Sequence, residues 1–158
     1  MPTLKPATVE VYDNWSGPVT KARNELTGQA WFGGDWWINQ SFGSSGFGFQ
    51  LSKTHWFNHR SRGIHFEFWI DSAEVAAGTF PIVLHFEPET PDRDGLGRRF
   101  AGAFADRQAE FADYRINHKA VCDKMVKEIK LTKAGLPKSV VAEFTRLATL
   151  GDLIDGIL

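Results

Sequence analysis

Cysteine is almost missing from this chain of 158 residues: Cys122 stands alone, so an intramolecular disulfide and a cysteine-rich zinc centre are both excluded. No run approaches 18 apolar residues, so nothing in the sequence reads as a bilayer span. Charge of one sign is missing too: 18 basic against 19 acidic residues leave no global field to favour nucleic acid or an acidic membrane. The first ten residues have no apolar core, so they do not read as a secretory leader, and the expected location is cytoplasmic. Without a secretory route, the glycosylation triplets at Asn14 and Asn39 read as chance matches.

Established catalytic signatures are missing as well. The glycine-rich stretch 43–48 is followed by a strand pattern, with no Gly-Lys-Ser/Thr, so it reads as a hairpin loop rather than a phosphate cradle. Phe47 occupies the position where a nucleophile elbow would need its closing glycine. Neither His-x-His nor His-Glu-x-x-His occurs.

What the chain does have is aromatic residues (13 Phe and 6 Trp) and one pair of alternating segments. In residues 63–70, Ile64, Phe66, Phe68 and Ile70 fall on one face of a strand and His65, Glu67 and Trp69 on the other. In residues 80–87, Ile82, Leu84 and Phe86 share a face and Val83, His85 and Glu87 its reverse. The link between them carries Asp71 and Glu74 at capping-box spacing and a closing Gly78, which predicts one helical turn. If the two strands pair antiparallel, one register sets His65 opposite Glu87 and Glu67 opposite His85, so that four side chains converge on one patch. Two imidazoles with one or two carboxylates are a ligand set for iron, zinc or manganese, here His65, His85 and Glu87. Without a metal, the same four groups form an acid–base cluster or complementary pairs on a wet sheet face.

Upstream, residues 8–12 alternate and predict a strand, and residues 16–28 predict a short helix opened by Ser16 and Pro18. Strands are expected at 35–42 and 47–51, followed by a basic connection over 53–62. That connection mixes His55, His59, Arg60 and Arg62 with Trp56 and Phe57, a combination suited to phosphates and bases. Beyond Pro88 the apolar period changes to 3.6. Leu96, Phe100, Phe104 and Phe111 predict a helix over about 95–113, Val121, Met125 and Ile129 a second with a lysine-rich side, and residues after Pro137 a third that Gly151 divides.

The expected architecture is a single α+β domain over 1–158. An antiparallel sheet of about four to five strands (region 8–88) packs on about three helices (region 92–158). The first functional expectation is a binding or interaction domain for a small molecule or protein. Its site is the sheet face of His65, Glu67, Trp69, His85 and Glu87, rimmed by Trp56, His55, His59, Arg60 and Arg62. The second is a metal-assisted or acid–base enzyme that uses His65, Glu67, His85 and Glu87, with a divalent metal as its cofactor. The third, ranked below these, is nucleic-acid binding through residues 53–62 and the lysine-rich helix. Surplus aromatic surface is also compatible with a homodimer.

Overall fold

The computed structural model describes residues 6–42, 46–57 and 63–158. The chain opens with a helix, α1 (Pro6–Thr27), and continues through three strands, β1 (Trp36–Phe42), β2 (Phe47–Lys53) and β3 (Ile64–Ile70). A short helix α2 (Ser72–Ala77) leads into β4 (Thr79–Phe86) and α3 (Arg93–Phe104), which runs on as a 3-10 turn over Ala105–Phe111. A second β segment, β5 (Arg115–Ile116) and β6 (Asp123–Lys130), precedes α4 (Gly135–Ala148) and α5 (Gly151–Asp155). Every neighbouring strand pair is antiparallel, in the spatial order β1-β2-β3-β4-β6-β5. The α+β expectation holds, with six strands in the sheet.

The apolar faces of β2, β3 and β4 form the floor of the core. Phe47, Phe49, Leu51, Ile64, Phe66, Phe68, Ile70, Ile82, Leu84 and Phe86 are all buried there. Phe144 of α4 packs edge-on against Phe49 and Phe68, and Phe100 of α3 against Phe86, so both helices cover this side. Each such aromatic contributes about 2–3 kcal/mol by leaving water. α1 lies along α4 and also reaches Phe47 through Tyr12.

Two segments differ from the sequence expectation. Residues 8–12 are not a strand but part of the first two turns of α1, because Val11, Trp15, Val19, Ala22 and Leu26 form one buried helical stripe that continues through Pro18. Val9, which the alternation would bury beside Val11, is 43% exposed. Residues 123–130 are not a lysine-faced helix but strand β6. Its lysines therefore do not line up: Lys127 pairs with Asp113 and Glu143, while Lys124 turns inward and is buried.

The capped link is as expected. Asp71 Oδ1 accepts from the backbone N–H of Ala73 and Glu74, Glu74 Oε2 accepts from the Asp71 N–H, and Gly78 closes the turn at φ 71°. Gly151 does divide the last helix. The expected hairpin loop at 43–46 falls largely outside the described residues.

Candidate metal centre

α2 fixes how β3 and β4 meet. The register sets His65 opposite His85 and Glu67 opposite Val83, while the Glu87 N–H donates to the Gly63 carbonyl. This is a two-residue shift from the register considered on sequence grounds. An even shift keeps every side chain on its face, so His65, Glu67, His85 and Glu87 still converge. One ligand atom from each lies within 4.8 Å of the other three.

The patch is not the wet surface that alternation suggests. His65 is fully buried, and Gln50 and Ser52 beside it on β2 are 5% and 1% exposed. Glu87 is the most accessible of the four, at 25% of its side chain.

Four nitrogen–oxygen separations define the cluster. His65 Nε2 lies 3.3 Å from Glu67 Oε2 and 3.5 Å from Glu87 Oε1. His85 Nδ1 lies 3.2 Å from Glu67 Oε2 and 3.7 Å from Glu87 Oε1. Charge-assisted hydrogen bonds between such groups close to about 2.7–2.9 Å. A tetrahedral ion with ligand bonds of about 2.1 Å instead spaces its ligands about 3.4 Å apart. The observed set clusters around the second value. His85 Nδ1, moreover, faces two carboxylates and yet has no aligned hydrogen-bond partner among the described residues. His65 Nε2 and Glu67 Oε2 do form a hydrogen bond, at 3.3 Å, and the other three contacts bring the ligand atoms together without one.

The outer atoms are held as well. Glu67 Oε1 accepts from Gln50 Nε2 at 3.3 Å, and Gln50 Oε1 in turn accepts from Asn39 Nδ2 at 3.4 Å, which leaves Glu67 Oε2 to face the imidazoles. His85 Nε2 stands 2.5 Å from Asp123 Oδ1, a charge contact without hydrogen-bond alignment, so a carboxylate backs the ring while Nδ1 faces the cluster. Metal-binding histidines are oriented by such outer carboxylates. Trp69 flanks the same ring, with centroids 6.0 Å apart.

The electrostatics follow from the crowding. Burial opposes a proton on His85, but the adjacent Glu67 and Glu87 carboxylates, aided by Asp123, outweigh it and lift the group to about 10. Burial likewise opposes ionisation of Glu67, but His65 and His85 prevail and hold it at about 2. Glu87 is lowered too, first by its contact with His85. A dication here would be balanced by the two carboxylates, leaving a neutral buried centre.

The remaining sequence candidates lie elsewhere. Trp56 is fully buried against Phe66 on the opposite face of the sheet, and its indole N–H donates to Asp155 Oδ1 at 2.6 Å, so no surface is left for a ligand. His55 is half-exposed and meets Asp155 Oδ1 through Nε2 at 2.7 Å. Lys53 Nζ donates to Asp155 Oδ2 at 2.5 Å. The described part of the basic connection thus anchors α5 to the end of β2 and does not rim the His/Glu patch. His59, Arg60 and Arg62 lie outside the described residues.

Gln50 and Asp123 were missed as participants. Gln50 was within reach, because alternation from Phe49 and Leu51 puts it on the polar face. Asp123 was not, because the four-residue spacing of Val121, Met125 and Ile129 reads as a helix while the segment is strand β6. Among the described residues no helix is long and apolar enough to cross a membrane. Comparison of the chain with family models, with curated proteins and with solved structures finds no match in any of the three.

Proposed function

We propose that this is a metal-binding domain. A divalent first-row ion, zinc or alternatively iron(II) or manganese, is held by His65 Nε2, Glu67 Oε2, His85 Nδ1 and Glu87 Oε1. The observation that carries this reading is the convergence of four ligand atoms within 4.8 Å, with N···O separations of 3.2–3.7 Å that match ligand edges. The prearranged Gln50 and Asp123 contacts support it. Four protein ligands in a largely buried set leave little room for a substrate, so a structural or regulatory ion fits better than a catalytic one. The protein on this reading is an intracellular binding domain whose ligand is the ion itself.

The test is metal analysis of protein purified without an affinity tag, followed by chelation and titration with each ion. One equivalent should bind. At a free concentration about 100-fold above Kd the gain of ~2.7 kcal/mol should raise Tm by roughly 5–10 °C. The double substitution His65→Ala/His85→Ala should abolish both effects. Protein that carries no metal and shows no thermal shift would reduce the quartet to a metal-free ion cluster.

A further inference from the structure

A second cluster, separate from the His/Glu centre, lies where the start of α3 faces the segment before β6. These walls enclose an open cleft of about 410 Å³, a size at which small ligands bind. Its charges are one-sided: Arg93 and Arg98 from α3 and Lys119 and Lys124 from the facing wall, against Asp94 alone.

Lys124 is the informative member. It is 5% exposed, its Nζ donates to the carbonyls of Ala120 at 2.7 Å and His118 at 3.3 Å, and it stands 5.6 Å from the Phe86 ring centroid. Among the described residues no carboxylate lies within 4.0 Å of Lys124, Arg98 or Lys119, and Arg93 reaches only Asp94, at 3.9 Å. A buried ammonium that meets carbonyl dipoles and a ring, but no anion, is left electrostatically incomplete. Burial, then Arg93, holds it below its ordinary pKa. Gly97, a poor helix former inside α3, keeps space open at this head group, because a Cβ there would come within 3.2 Å of Lys124 Nζ. His118, which also lines the cleft, has a buried Nδ1 with no hydrogen-bond partner among the described residues. Val121 adds an apolar rim, 63% exposed.

We propose that this cleft binds a small phosphorylated molecule, its phosphate among Arg93, Arg98, Lys119 and Lys124 and its apolar body against Ala101 and Val121. Three or four cations around one cavity match the oxygens of a phosphomonoester, which also supplies the missing counter-charge to Lys124.

Phenyl phosphate and inorganic phosphate are suitable probes, titrated at low ionic strength into the full chain and followed calorimetrically and by amide shifts, with sodium chloride at matched ionic strength as the control. Saturable 1:1 binding is expected, with the affected amides confined to 93–101 and 118–124, and phenyl phosphate should bind more tightly than phosphate. Arg98→Gln and Lys124→Met should each weaken binding by about tenfold. Arg98 is exposed, so its variant keeps the fold and decides the matter even if Lys124→Met is unstable. No saturation by about 10 mM, equal effects from chloride, or unchanged affinity in Arg98→Gln overturns the proposal.

Discussion

Metal binding at the His/Glu centre must compete with a proton, and the structure sets the size of that competition. A coordinating imidazole is neutral, whereas His85 in the metal-free protein keeps its proton up to a pKa of about 10. At pH 7 only about one molecule in a thousand has His85 deprotonated, so the apparent affinity is reduced by roughly 10³, or ~4 kcal/mol. It should rise about tenfold per pH unit until pH approaches 10. Glu67, held at about 2, is already ionised and releases nothing near neutrality. Calorimetry at pH 7 in buffers of different ionisation enthalpy should therefore show at least one proton released per ion bound. A 1:1 metal complex that forms with no proton release between pH 7 and 8 would refute the assignment of His85 as a ligand.

The same contacts act on the metal-free fold with a definite sign. The folded pKa of His85 lies above its unfolded value of 6.5, so its contribution is fully present below pH 6.5 and is lost as pH rises toward 10. The ceiling set by that shift is on the order of 5 kcal/mol. The lowered Glu67 reflects the same contacts seen from the other partner, so the two effects are not summed. Urea unfolding of the chelated protein should show a stability loss on the order of 2 kcal/mol between pH 6 and 9.5. That loss should shrink in His85→Gln, and equal slopes in the two proteins would contradict the account.

Two further outcomes test the surrounding structure. Asp123→Asn removes the carboxylate behind His85 Nε2 and should weaken metal binding by about 10–100-fold in a chelator competition; a change of less than twofold would deny Asp123 an orienting role. Asp155→Ala leaves the buried Trp56 indole N–H without its acceptor and Lys53 without its closest carboxylate. It should cost about 3 kcal/mol by urea denaturation, and a loss within experimental error would show that α5 is held by apolar packing alone.

How far the sequence revealed this arrangement differs from element to element. The β3–β4 pair was legible because its alternation is strict and its link carries a capping box, both local signals that tertiary packing did not oppose. The register was not, because a two-residue slip leaves every face unchanged and only the reach of α2 distinguishes the alternatives. α1 was obscured by Ser16-Gly17-Pro18, which reads as a helix start, although the buried stripe from Val11 to Leu26 runs straight through it. In β6, the spacing of Val121, Met125 and Ile129 by four satisfies a helical and a strand period equally. The ambiguity was resolved by a lysine: Lys127 sits on the inward face because Asp113 and Glu143 receive its charge. A helical period there carries Asp123 away from the sheet face, where the strand sets it behind His85.

Stability alone does not account for keeping four ionisable groups in this place. Buried ion clusters generally add little, and packed apolar residues of similar volume often serve as well or better. The sheet supplies that alternative at the next position, where Val83 faces Val126 on the same side and is 1% exposed. A stabilising ion network would also be expected to close its contacts. Here the imidazoles stand 3.2–3.7 Å from the carboxylates with one hydrogen bond, His65 to Glu67, among the four contacts, while Gln50 donates to the outer oxygen of Glu67 and the Asp123 carboxylate stands behind His85. Gln50 on one oxygen of Glu67 and Asp123 behind His85 leave Glu67 Oε2 and His85 Nδ1 to face the cluster, which is the arrangement a coordination site requires. The spacing and the backing contacts therefore point the same way, and both are set by backbone positions on β2, β3, β4 and β6, with Glu87 just past the end of β4 fixed by its backbone bond to Gly63.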